Sequence, residues 1–536
     1  MRYFDYHIPA SLLALTLLLA SGCHGNVSTR EPATESTSST MVTLRTSVIG
    51  TMTPRADVSE TDAAPLAGSG EGEVEVLNLW LAKEGWMQKV PVKTDASIYQ
   101  ATFKVNGVQK PYEERDYTIL LNGHKLSLNT LSRSEQTTIG IDQISLLMDD
   151  KGFTMTGDVN LSAVIMPDVE TPARQGDNVF PKDKALPVER VVSKAQLYKK
   201  SGFAVTGVPG TIASSSLRWA VAGSGKQVYL YRNNAGERTM GVDGLYNGLI
   251  TASNASKESG LMKLSDVIKN PDDKGNFAWK KLLETQSGPK SVAGGIYFYE
   301  HALEETKGQS NPYPRTIGYN KVTYAKVYAD LGKISKGKKI KDGATPTGGA
   351  YTPADLTTTT ANDFSGDREY DVIVTQKWYD KMKDTPGVQL KETDGVYTQH
   401  IVDEPGTFYV GANGTIYNTL LAAMVDGNKS ARKYTGGRMV YLTPLNAQGE
   451  QGKIYNCDTR RNNIYDLEIQ GVNGLGYNYD PVDPRDPYIP KPNDNPLEPD
   501  HVIPPINDTE ITIKVRAKVL NWNYIHQSYD LLGQTK

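Results

Sequence analysis

A chain of 536 residues is too long for one ordinary domain, so two or more folded units are expected. A formal net charge of -3 offers no basic surface for nucleic acid, and two cysteines, Cys23 and Cys457, are too few for a disulfide framework. Thirty tyrosines against nine phenylalanines, interleaved with Thr and Val in short alternating runs, favour β structure.

The chain opens with processing signals. Ile8 to Ala20 is an apolar run of thirteen residues, too short to span a membrane and suited to a secretory signal. It ends Leu19-Ala20-Ser21-Gly22-Cys23, small residues leading into a cysteine, which is the pattern of a bacterial lipoprotein signal. Cys23 is therefore the expected lipidation site and mature N-terminus, giving a chain anchored to a membrane rather than spanning it. His24 to Thr40 is rich in Ser, Thr, Glu and Pro and reads as a tether. Met41–Ile49 reads as a strand. Thr53-Pro54-Arg55-Ala56 follows in a soft stretch, where an exposed arginine suits a protease.

The body is a succession of short strand candidates. Val74–Leu81, Ser97–Val105, Tyr117–Leu121, Lys125–Leu128, Phe153–Gly157, Leu161–Met166 and Leu186–Ala195 make a first group, closing near residue 200. Asn122-Gly123 predicts a hairpin turn between the third and fourth of these. After Phe203 the pattern restarts with Ser216–Ala222, Gln227–Tyr231, Gly295–Tyr299, Lys321–Asp330, Tyr370–Thr375, Thr407–Val410, Arg438–Leu442 and Asn463–Ile469. Residues 241–290 have loosely helical spacing, with Trp279 as a core candidate. Ile334–Leu356 reads as an exposed loop, and helices are expected at Trp378-Tyr379 and Thr419–Val425. Many short strands separated by turn signals indicate sandwiches or barrels.

Residues 477–507 hold nine prolines and read as a stiff, solvated arm. Asp480, Asp483 and Asp486 do not have the spacing of an EF-hand calcium loop. Beyond the arm, Ile511, Ile513, Val515, Ala517 and Val519 alternate with Thr512, Lys514, Arg516 and Lys518, a strand with one dry and one wet face. Trp522, Tyr524, Ile525, Tyr529 and Leu531 continue it almost to Lys536. The seven histidines are scattered without metal-ligand spacing, and no HExxH, GxSxG or strand-linked GxGxxG occurs, so neither an enzyme site nor a cofactor is expected.

Phe153–Gly157, Val188–Lys194, Phe408–Gly411, Arg461–Gly471, Val472–Gly476 and the Trp522–Leu531 tail together resemble the fimbrillins of oral and gut Bacteroidales, in order along the whole chain. The resemblance implies a mainly β fold of two transthyretin-like β-sandwich domains, with helical and loop insertions in the second. It implies a signal peptide (1–22), a propeptide with tether and first strand (23–55), an N-terminal sandwich (56–200) and a C-terminal sandwich (201–476). A Pro-rich arm (477–509) and terminal strands (510–536) complete the chain. It further implies export as a lipid-anchored outer-membrane precursor and cleavage between Arg55 and Ala56 by an arginine-specific protease. A C-terminal donor strand with Trp522, Tyr524, Ile525, Tyr529 and Leu531 would then fill the groove of the next subunit. The expected partners are other copies of the chain, anchor and tip subunits, and receptors on host or bacterial surfaces, with the mature form in extracellular fimbriae that support adhesion and biofilm. A tip or accessory adhesin is the alternative within the family. A surface glycan-binding lipoprotein, stacking sugars on Trp80, Trp86 or Trp378, is the alternative outside it.

Overall fold

A computed structural model describes residues 38–48, most of 74–231, 249–252, 259–262, 280–281, 283–284, 296–301, most of 317–506, and 513–521. The fold is mainly β, built from several sheets. We number the principal strands β1 (Ser38–Val48), β2 (Leu77–Leu81), β3 (Ile98–Val108), β4 (Glu113–Leu121), β5 (Met155–Thr156), β6 (Leu161–Ile165), β7 (Val179–Phe180) and β8 (Leu186–Arg190) in the first half. The second half contributes β9 (Ser193–Val205), β10 (Arg218–Ala222), β11 (Tyr324–Gly332), β12 (Arg438–Pro444), β13 (Asn463–Val472) and β14 (Ile513–Asn521).

The first group runs β2-β4-β5-β8-β1-β3, with β6 added on β4 and β7 on β1. The strand expected over Ser97–Val105 forms as β3 and alternates: Tyr99, Ala101, Phe103 and Val105 are buried while Lys104 and Asn106 face solvent. Leu186–Ala195, read as one strand, is two. The chain passes from β8 to β9 at the buried pair Val191 and Val192, and so moves from the first group of strands into the second.

In the second half β9 and β13 lie side by side in parallel, with β14 antiparallel on β13. A separate sheet has β11 at its centre, paired antiparallel with β10 and β12. Between β11 and β12 lies an insertion with its own apolar core of Val372, Val374, Ile401, Tyr409, Tyr417 and Leu420. It is richer in strand than the sequence suggested, carrying a five-stranded and a three-stranded sheet. Its helices are α1 (Gln376–Met382) and α2 (Leu420–Val425). Thr375 and Thr419 cap them, accepting from the Trp378 and Ala422 backbone N–H groups.

Three expectations need correction. After Asn122-Gly123 the described residues Lys125 and Leu126 form a turn rather than a strand, and Asn122 uses its side chain as a tie, accepting from Glu75 N and Val76 N and donating to Phe153 O. In 241–290 the described pieces include strands Leu249–Ala252 and Ser259–Met262, which pair with each other, and Trp279 lies outside the described residues. The Pro-rich segment is not a solvated arm: Asn478, Asp480, Asp486, Asn495 and Ile506 are buried. Proline forbids a regular ladder there, and the isolated bridges Val440–Tyr477 and Gly318–Pro505 dock the segment on its neighbours instead.

Candidate functional site

The feature with clearest consequences for assembly is the setting of β1. It is the first strand in the described chain, yet it lies inside a sheet rather than at an edge. On one side it pairs antiparallel with β3, from Ser38↔Val108 to Ser47↔Ile98. On the other it pairs in parallel with β7 at Thr43 and Leu44, and with β8 at Thr46, Ser47 and Val48. Val42, Leu44 and Val48 point into the core and are at most 3% exposed. Such side chains contribute roughly 1.5–3 kcal/mol each to burial.

The N-terminal end of β1 is held by polar ties that the sequence did not announce. Asn178, at a positive φ of 51°, donates from Nδ2 to Thr40 Oγ1, Met41 O and Met166 O. Thr40 Oγ1 donates to Met166 O at 2.7 Å and accepts from Val169 N at 3.1 Å. Farther along, Thr43 and Thr102 share a hydroxyl hydrogen bond at 3.0 Å, and Thr46 Oγ1 donates to Tyr99 O. Asn tolerates the left-handed backbone region, which is the one local signal that could have singled out position 178.

At the other end of the chain, β14 pairs with β13 from Asn463↔Asn521 to Val472↔Ile513 and is the last strand of its sheet. The alternating run ending at Val519 therefore belongs to the chain's own sheet. Fifteen residues, 522–536, follow it. Cys23, Arg55, Ala56, Trp522, Tyr524, Ile525, Tyr529 and Leu531 all lie outside the described residues, so the structure brings none of them together. By chain position Cys23 precedes β1, and Arg55 lies in the connection between β1 and β2.

The tryptophans offered as sugar platforms are half-buried. Trp80 and Trp86 sit opposite each other on adjacent strands, and Trp378 donates from Nε1 to Gln399 Oε1 at 2.7 Å. Cys457 is buried, and burial, with Asp458 adding to it, pushes its thiol far above the ordinary range, so it is held as an inert thiol. Among the described residues no three His, Cys, Asp or Glu side chains converge as metal ligands.

Residues 432–528 match the family model described as major fimbrial subunit protein type IV, fimbrillin, C-terminal. That span covers β12, β13 and β14 together with the docked Pro-rich segment. This part of the chain is similar to the fimbrillin C-terminal region. Among solved structures, a fimbrilin from Porphyromonas gingivalis W83 aligns over 91% of this chain and 99% of its own, at 13% identity and a TM-score of 0.35. The tip fimbrial protein of Porphyromonas gingivalis, solved with a C-terminal truncation, aligns over 90% and 100% at 11% identity and a TM-score of 0.31. No curated protein matches the chain.

Proposed function

We propose that the chain is a structural subunit of a fimbrial shaft, exported as a lipid-anchored precursor and polymerised head to tail after its leader is cut away. The observation that carries this reading is the internal position of β1, with its chain connection running through Arg55 to β2. Cutting between Arg55 and Ala56 severs β1 from the fold it completes. Loss of β1 uncovers the edge of β3 on one side and those of β7 and β8 on the other, together with the apolar floor that receives Val42, Leu44 and Val48. Two open strand edges over an apolar trough bind an extended peptide by strand addition.

The tail suits that task in length and character. Fifteen residues extend about 50 Å at roughly 3.3 Å each, against roughly 36 Å for the eleven residues of β1. Ile525, Tyr529 and Leu531 fall on one face of an extended segment, and Trp522 and Tyr524 on the other. Because a tail enters a different surface on the next subunit, the contact is heterologous and does not close, and an open filament results. In the precursor β1 fills the trough from within and blocks premature assembly.

Replacing Arg55 with Ala tests the reading. Cells carrying that variant are expected to hold lipid-anchored monomers at the outer membrane. Abundant polymer from Arg55→Ala would overturn it.

A further inference from the structure

Lys326 occupies an unusual place for a lysine. It sits in β11, the central strand of its sheet, with Ala220 of β10 and Leu442 of β12 directly across on either side and Tyr324 and Tyr328 two residues away along the strand. Ala220, Leu442 and Tyr324 belong to an apolar cluster with Val440 and Ile506, against which Tyr328 and Val482 pack. The Lys326 side chain is only 3% exposed.

Two carboxylates from the docked Pro-rich segment meet it there. Lys326 Nζ lies against Asp480 Oδ2 and 3.8 Å from Asp486 Oδ2, and both aspartate side chains are 1% exposed. Asp480 Oδ1 accepts from Val482 N at 2.8 Å. Asp486 Oδ2 accepts from Asp480 N at 2.9 Å and from Tyr328 OH at 3.2 Å. The ammonium also stands 5.0 Å from the centre of the Tyr328 ring. Burial pulls the Lys326 ammonium down, Asp480 and Asp486 together push it up further, and it ends above the ordinary lysine value.

We propose that Lys326 and Asp480 condense to an intramolecular amide, with Asp486 as the proton relay. The ammonium–carboxylate pair already contains every atom of the amide plus one water. Asp486 takes a proton from Nζ and passes it to the Asp480 carboxylate, and the freed lone pair attacks Cγ of Asp480. Nζ–Cγ forms, Asp486 moves a second proton from nitrogen to the departing oxygen, and water leaves. Nothing is oxidised or reduced, and Asp486 returns to its starting state.

Two features favour the step. Reacting groups held in contact and well oriented reach effective concentrations on the order of 10⁵–10⁸ M. An amide removes both formal charges, whereas a buried ion pair bears the cost of keeping them.

The bond would bracket residues 327–479, which include the whole β11–β12 insertion. Under the head-to-tail reading, tension entering at the C-terminal tail would pass from Asp480 to Lys326 and spare that insertion. This mechanical consequence rests on the proposed function; the bond does not.

The test is mass spectrometry of the purified full chain after denaturation and digestion. The expected result is a branched peptide joining the Lys326 and Asp480 segments, one water lighter than their sum. Lys326→Arg, which keeps a cation but lacks the amine nucleophile, should yield only linear peptides at full mass. Folded Asp486→Asn should do the same. Recovery of Lys326 and Asp480 from the wild type in separate linear peptides of full mass would overturn the proposal without recourse to any variant. Loss of water persisting in Lys326→Arg would overturn it as well, and a branched peptide from Asp486→Asn would overturn the relay. Assembly plays no part in this readout, so its failure is distinct from failure of the polymerisation reading.

Discussion

Asn178 Nδ2 donates to Thr40 Oγ1 at 2.9 Å, joining the turn before β7 to the start of β1 across 138 positions of sequence. The same amide reaches Met41 O and Met166 O, so one side chain gathers three segments at the mouth of the β1 trough. Asn178→Ala leaves these buried acceptors and the Thr40 hydroxyl short of a donor. The expected cost to the uncut precursor is about 1–3 kcal/mol, read as a lower urea midpoint, with faster loss of the leader peptide after cleavage.

Leu44→Ala should separate precursor from polymer. Leu44 is 1% exposed in the core, and its truncation should destabilise the precursor by about 2–5 kcal/mol. If β1 leaves on maturation, filaments grown from Leu44→Ala should melt at the wild-type temperature. Equal destabilisation of precursor and filament would mean that β1 stays in place.

Arg461 and Glu300 form a fully buried pair, with Arg461 Nε at 2.7 Å and Nη2 at 2.6 Å from Glu300 Oε1. Arg461 Nη2 also donates to Tyr229 O at 2.6 Å. Arg461→Met leaves an uncompensated carboxylate and should cost roughly 3–5 kcal/mol by denaturant unfolding. The double variant Arg461→Met with Glu300→Leu should lose less than the single one, because no charge is then stranded.

Stability should fall in mild acid. Burial pushes His301 down from 6.5 to about 4. Between these values the unfolded chain binds the proton and the folded chain does not, so the contribution is complete above pH 6.5 and shrinks as pH drops toward 4. Hydrogen bonds from Lys338 and Tyr417 hold the Asp426 carboxyl below its ordinary value, so its contribution disappears at still lower pH. Urea midpoints across this range should decline, and His301→Gln should flatten the upper part of the decline.

How far the sequence could be read depended on how local each cause was. The strands at Ser97–Val105 and Asn463–Ile469 and the helix at Thr419–Val425 have causes within a few residues of their effects and were legible. The place of β1 between β3 and β8 was not, because strand order is decided by partners more than fifty residues away. Asn122-Gly123 carried a hairpin signal, yet the Asn122 side chain found Val76 and Phe153 instead. Proline counts in 477–507 pointed to a solvated arm and said nothing of Lys326, whose buried charge draws Asp480 and Asp486 inward. The trough itself was legible only through family resemblance, since the residues of the leader cut and the tail carry their roles through another copy of the chain.

The central claim is that one subunit's tail fills the trough another subunit opens by losing β1. A mixing experiment tests it most directly. A cleaved chain lacking residues 522–536 has an open trough and no tail; the uncut full chain has a tail and a filled trough. Each alone should stay monomeric, and together they should form a one-to-one heterodimer and nothing longer. Absence of that heterodimer, or assembly of either chain by itself, would contradict the account.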